Sequence, residues 1–340
     1  MTSLESPSAH DVDQNGRGHE GSWLSKALGI VELPPLMGLI GLVIAFQVFS
    51  DGRYLTLPQM GAIASLTAAV AIPGVAVTLL IISGEFDLSI GAMFALAPIV
   101  LGTLLAEYQW TPWIAFLVAM VMCGLLGLTN GLLTTRLRIP SFIVTLGALF
   151  GIRGLSVIVT GGFNVNYFGE DPLLSVLGGH LWGVPAPIIW AFVLTAAVWF
   201  VLEHTSYGNW TRAAGNPTPG ARALGVPVRR VKTINFVVSA ALAAFGGIAQ
   251  FALFRSVSVG SGDGLELTAI VAVVVGGTAL FGVRGTAIGT LLGAIILAVL
   301  KTGLIVTGVP GAWFTSLVGA LLVVSVAVNI GVGNLQRRFV

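Results

Sequence analysis

Apolar stretches of about 20 residues, the length that crosses a bilayer as a helix, recur along this chain from Leu33 to Ile330. Few folds are open to such a sequence. In hydrocarbon each backbone N–H and C=O must find its partner within the protein, so these stretches must be α-helices. Composition agrees: 56% of the 340 residues are hydrophobic and 9% charged, whereas soluble domains are about 25% charged. The expected fold is all-α, a polytopic membrane protein. Forty-five glycines suit close helix packing and broken helices.

Ten transmembrane helices are expected, at roughly 34–49, 60–82, 89–107, 112–134, 141–161, 186–203, 233–254, 266–282, 285–306 and 311–330. Residues 1–32 are polar and mixed in charge, and read as a disordered cytoplasmic tail. They lack the basic start and short apolar core of a signal peptide, so the first span should be retained. Residues 33–340 then form one transmembrane domain, with its longest inside loop at about 203–232.

Lys and Arg set the orientation. With a cytoplasmic N-terminus, twelve of the sixteen basic residues fall inside: Arg17, Lys26, Arg136, Arg138, Arg212, Arg222, Arg229, Arg230, Lys232, Arg284, Arg337 and Arg338. Arg53 and Arg255 fall outside, and Arg153 and Lys301 within spans. Both termini are therefore expected in the cytoplasm.

Polar residues between apolar runs are the candidate functional groups. A carboxylate at the centre of a spanning helix costs roughly 2.5–3.5 kcal/mol on insertion scales, and such groups usually face a protein interior or a water-filled path. The stretch Ile81–Gly91 carries Glu85, Asp87 and Ser89. These residues can line or gate a path. They can equally serve a helix N-terminus, where Asp and Ser satisfy free N–H groups. Arg153 lies mid-span, where it calls for a buried carboxylate or carbonyl partners. Glu266 opens a later span as a helix-start carboxylate or a path residue. Lys301 is expected to snorkel outward.

The inside loop holds Arg212, Gly215, Asn216, Ala221, Arg222 and Gly225. Pro219 can begin a short helix there and Gly225 can end it. An arginine-rimmed helix between spans suits docking on another protein, although positive-inside charge alone would produce the same residues. There is also an internal echo, Phe86-Asp-Leu-Ser-Ile90 against Leu265-Glu-Leu-Thr-Ala269, each before a run ending in Gly-Thr. In the ten-span topology the first enters from inside and the second from outside. That is the arrangement of an inverted repeat of spans 2–5 against 7–10, a transporter design.

Four motifs occur in order. Gly84, Asp87, Leu88, Ser89, Ile90 and Gly91 fit G-G-x-D-L-S-[VI]-G. Pro140, Phe142, Ile143, Thr145, Leu146 and Gly147 fit P-x-F-I-x-T-L-G, with Arg153-Gly154 following. The inside loop carries A-x-G-N with Ala213, Gly215 and Asn216, then Gly220, Ala221, Gly225, Val226 and Val228. Glu266, Leu267, Ala269, Ile270, Gly276, Gly277 and Thr278 fit the last, with Gly282, Gly285, Gly289 and Gly293 after it. Together they resemble the membrane permeases of ribose-type sugar ABC importers, over nearly all the chain after about residue 35. Glu85, Pro217, Pro219, Asn209, Val283 and Lys301 depart from the family pattern.

The resemblance implies a permease subunit that moves a monosaccharide or related small polar solute across the bacterial inner membrane. It implies a second permease subunit as homo- or heterodimer, cytosolic ABC ATPases held by the inside loop, and an extracytoplasmic substrate-binding protein. Asp87, Ser89, Glu85, Arg153 and Glu266 would then serve the path or its gate. Alternatives are a branched-chain amino acid or nucleoside ABC permease and a self-sufficient secondary transporter. The Asp-Leu-Ser motif favours the sugar branch, and the docking loop disfavours a secondary transporter.

Bond chemistry is not expected of the chain. A P-loop needs Gly-Lys, and the three lysines follow Ser25, Val231 and Leu300. Cys123 is the only cysteine, and His10, His19, His180 and His204 have no metal-ligand spacing. No cofactor, metal or nucleic-acid partner is implied.

Overall fold

The computed structural model describes residues 33–215, 221, 225–280 and 285–338, with side chains as far as Ala327. The expected tail at 1–32 lies outside the described residues. The apolar stretches are helices α1 (Leu33–Phe49), α2 (Leu57–Ile82), α3 (Ile90–Ala106), α4 (Pro112–Arg136) and α5 (Ser141–Thr160). A short connection follows, with β1 (Val165–Asn166), α6 (Pro172–Gly178), β2 (His180–Leu181) and β3 (Val184–Pro185). Next come α7 (Ala186–His204), α8 (Ser206–Gly215), α9 (Val228–Phe254), β4 (Ser256–Val257) and a 3-10 turn at Val259–Gly262. The remainder is α10 (Leu265–Val275), α11 (Ala287–Val306) and α12 (Ala312–Arg338).

Six helices among the described residues, α2, α4, α5, α7, α9 and α11, are long and apolar enough to cross a membrane. Leu33–Phe49, Ile90–Ala106 and Ala312–Ala327 are shorter apolar helices. The all-α membrane fold is thus as expected. Two boundaries differ from expectation. The helix expected at 266–282 stops at Val275, because Gly277 takes a φ of +92° that glycine alone adopts readily. The bond from Thr278 N–H to the Val273 carbonyl, 3.1 Å, closes that end. The second difference is α8, which occupies sequence read as loop.

Burial sorts the helices into an inner and an outer set. In α2, 83% of the most apolar window lies inside the protein, and α11 and α9 follow at 72% and 61%. The windows of α4 and α5 are only 22% and 28% buried, so their apolar faces point outward, as lipid-facing helices require. One main core joins α2, α3, α4 and α9 through residues such as Val77, Met93, Ala119 and Ile248. A second cluster brings Ile82, Leu202 and Ala287 together, so α2 ends, α7 ends and α11 begins at one end of the bundle. The opposite end carries the antiparallel pairs β1–β4 and β2–β3.

Candidate functional site

The chain leaves α2 at Ser83 and reaches the start of α3 at Ile90 through a buried, irregular stretch. Gly84 turns the chain at φ +78°, and Glu85 N–H closes onto the Leu80 carbonyl at 2.9 Å. Ser239, which meets this stretch, lies near the middle of α9. Farther along α3, Gly247 packs so closely on Phe94 that a methyl at 247 would collide with the Phe94 carbonyl. Thus α3 is a half-helix that begins inside the bundle, and the stretch before it climbs in from the end where α2 and α7 stop.

Asp87 is fully buried in this stretch, and its oxygens are matched. Oδ1 accepts from Ser89 N–H at 2.9 Å and from Ser89 Oγ at 2.5 Å, and Oδ2 accepts from Ser239 Oγ at 3.0 Å. Asn130 on α4 donates to Ser89 Oγ at 3.0 Å. Ser89 is the N-cap residue of α3, but its side chain bonds Asp87 and no helix N–H. The pair is therefore a closed polar knot linking α4, α9 and the irregular stretch. Buried polar groups satisfied this fully rigidify a structure.

A second irregular stretch, Arg255–Gly264, returns from the strand end into the bundle and starts α10. At 11 residues, α10 is about 16 Å long, roughly half the hydrocarbon thickness. It ends at Gly276, packed against Gly289 near the start of α11, so it runs toward the end where α2 and α7 stop. The two half-helices start against each other. A methyl at Gly91 would collide with Glu266 Oε2 and with the Gly262 carbonyl, and one at Gly262 with the Gly91 carbonyl.

Arg153, from α5, reaches this meeting point. Its Nη2 lies 3.0 Å from Asp263 Oδ1 and 3.6 Å from Glu266 Oε2. The partner called for by a mid-span arginine is thus mainly Asp263, which carries no signal in the sequence beyond its place in a Ser-Gly-Asp-Gly loop. Glu266 is 8% exposed, and its Oε2 has no hydrogen-bond partner, nor does the buried Nε of Arg153. This junction, unlike the first, leaves polar atoms unmatched.

The first stretch is also tied to the bundle end below it. Lys232 Nζ meets Glu85 Oε1 at 2.7 Å, with both side chains largely buried. Asn235 donates to the Leu79 carbonyl and to Ser83 Oγ, both at 3.2 Å. Tyr207 on α8 donates to Asn235 Oδ1 at 2.6 Å. Burial raises the Tyr207 phenol well above its ordinary range, which keeps it a donor. Gly215, the last residue of α8, packs against Gly84. Two residues read as docking groups have internal work here. Arg212 binds the Leu202 carbonyl at 2.7 Å and pairs with Glu203, so it caps the end of α7. Ala221 is helical and only 8% exposed. Gly225 takes a φ of +76°, and Val226 N–H bonds the Ala221 carbonyl at 3.2 Å; the helix expected between Pro219 and Gly225 lies mostly outside the described residues. Asn216, Pro219 and Arg222 lie outside the described residues. Lys301, expected to snorkel, sits over the Phe314 ring at 5.4 Å.

An apolar helix bundle with two broken helices whose starts abut suits a membrane permease. Its sequence relatives agree. Residues 59–326 match the family described as branched-chain amino acid transport system / permease component, and this chain belongs to that family. It is 34% identical over 275 residues to a xylose/arabinose import permease protein of Sulfolobus acidocaldarius, covering 78% of this chain and 76% of that one. It is 32% identical over 278 residues to the ribose import permease protein of Escherichia coli, covering 81% and 86%. A fructose import permease protein of Rhizobium meliloti is 30% identical over 306 residues, covering 87% and 84%. The chain is thus a multi-pass permease component of an ABC importer, and ATP hydrolysis falls to separate subunits.

Proposed function

We propose that this chain carries a monosaccharide inward through ten spans, with both termini in the cytoplasm. Twelve of sixteen basic residues on one side support that orientation. The observation that carries the mechanism is the contact of the two half-helix starts at Gly91 and Gly262. Two broken helices entering from opposite ends and meeting inside the bundle suit an inverted repeat, whose substrate path runs past the break. Asp87, Ser89 and Glu85 hold the first break; Arg153 and Glu266, with Asp263, hold the second. The three named relatives are sugar import permeases, which supports a sugar over an amino acid as cargo.

In this mechanism the loop at 203–232, with Gly215, Asn216, Arg222 and Gly225, engages a cytosolic ATPase. Closure of the ATPase pair moves α8. Tyr207–Asn235 and Lys232–Glu85 couple that movement to the bundle around the first break, which keeps its internal contacts, and the second break then rearranges against the α3 start. A second permease subunit and an extracytoplasmic binding protein complete the importer. Arg212 serves by holding α8 to α7, and Ala221 by packing within the loop.

Uptake of labelled ribose, xylose and fructose, against leucine, into vesicles bearing the full importer tests the cargo. Uptake of leucine alone would overturn the sugar reading. Single cysteines at Arg138→Cys and Arg229→Cys, in a Cys123→Ala background, test the topology. Both should react only from the cytoplasmic side, and reaction of either from outside would sink the ten-span arrangement.

A further inference from the structure

A cavity of about 240 Å³ lies where α2, α3 and α9 meet the second irregular stretch. It is smaller than the roughly 300 Å³ at which drug-sized pockets begin, and equals about eight waters at ~30 Å³ each. One small ring fills it. Phe94, Phe251 and Phe254 supply aromatic surface, and no lining residue is charged.

The polar character of the wall comes from an unusual source. Pro73 interrupts α2 and Pro98 interrupts α3. Proline has no N–H, so the carbonyl four residues earlier loses its helical donor. Those carbonyls belong to Ala69 and Phe94; the Phe94 oxygen lies against Gly247, and Ala69 lines this cavity. Gln250 is a second acceptor. Its Nε2 donates to the Ser65 carbonyl at 2.8 Å, which fixes the amide orientation and leaves Oε1 free to accept. The hydroxyls of Ser256 and Ser261 complete the polar lining.

An acceptor-rich, aromatic, uncharged wall selects a ligand that brings its own donors and an apolar face. A zwitterionic amino acid would leave both charges unpaired there, at high desolvation cost. We propose that this cavity is a station for a single neutral sugar ring on the translocation path, its hydroxyls donating to the Ala69 carbonyl and Gln250 Oε1 and its C–H face lying on the phenylalanines. The inference rests on the proposed sugar-importing function and adds the place and the recognising groups.

The test uses the full importer in vesicles, with a Cys123→Ala permease carrying Phe254→Cys, Ser261→Cys or, away from the cavity, Leu55→Cys. Phe254, Ser261 and Leu55 are all exposed, so each substitution is compatible with folding. Labelling by a small maleimide is timed with and without ribose, xylose, fructose or leucine. A sugar that the parent importer takes up should slow labelling at 254 and 261 about tenfold at about ten times its dissociation constant, with no change at 55. Leucine should change nothing. Gln250→Leu should cut sugar uptake about tenfold, the worth of one buried hydrogen bond. If an imported sugar leaves labelling at 254 and 261 unchanged, the station is wrong while the sugar reading stands. If the parent importer takes up leucine and no sugar, the reading and the station fall together.

Discussion

Asp87 and Glu266 each stand at the start of a buried half-helix, yet the atoms around them are matched very differently. Asp87 accepts three hydrogen bonds, and its donor Ser89 is held in turn by Asn130. Glu266 keeps an oxygen with no hydrogen-bond partner, and the guanidinium beside it lies closer to Asp263. An unmatched buried polar group costs about 1–3 kcal/mol. A fully satisfied knot loses by any movement, whereas an under-satisfied cluster can gain partners by moving. On this account the first junction is a fixed post and the second is the part that rearranges during transport.

The largest effect is expected from forcing the two junctions apart. Gly91→Ala puts a methyl against Glu266 Oε2 and the Gly262 carbonyl. Overpacking of this kind costs up to ~3 kcal/mol, so sugar uptake should fall about a hundredfold at matched protein level. Normal uptake would mean that the contact is incidental.

Next in size is a contrast in stability. Asp87→Ala strands the Ser89 and Ser239 hydroxyls and should lower unfolding stability by roughly 2–3 kcal/mol, read by thermal unfolding in nanodiscs. Glu266→Gln should change the same measurement by less than about 1 kcal/mol, because its charge pairs weakly at 3.6 Å. Equal losses would erase the distinction. In transport the order should reverse for Glu266. Glu266→Gln should reduce uptake about tenfold with folding intact, equivalent to ~1.4 kcal/mol of a moving step.

Smaller effects are expected at the ties to the bundle end. Lys232→Met breaks the pair with Glu85 and should weaken coupling of ATP hydrolysis to uptake by about 1 kcal/mol, roughly fivefold. The exchange Lys232→Glu with Glu85→Lys should recover part of it, and failure to recover any would mean the pair only neutralises charge. Tyr207→Phe removes one hydrogen bond to Asn235 and should cost about 0.5–1 kcal/mol of stability. The Tyr207 pKa is raised on folding, so this contribution is complete below the ordinary phenol value of 10.0 and lost only above it. The stability difference from wild type should accordingly be flat across neutral pH.

Helix positions were legible in the sequence because each apolar run is long, and Asp87, Glu85, Arg153 and Glu266 stood out as charges among apolar residues. Asp263 did not, since an aspartate between glycines reads as an ordinary loop residue. Asn130, Ser239 and Asn235 are single polar residues in long helices, and only the folded arrangement brings them to one point. Arg212 read as a docking charge because its acceptors, the Leu202 carbonyl and Glu203, become neighbours only when α8 folds back on α7. The early stop of α10 turned on the backbone of Gly277, which hydropathy does not register.

During transport the second junction should move and the first should stay in place. Single cysteines at Leu267→Cys, exposed on the first turn of α10, and Leu88→Cys, buried beside Asp87, report on the two directly. Each is placed in the Cys123→Ala permease within the full importer, and impermeant maleimide is applied from either side, with the ATPases resting or trapped closed. Residue 267 should change the side from which it reacts, while residue 88 stays unreactive in both states. Reaction at 88 that appears on closure, with 267 unchanged, would contradict the account.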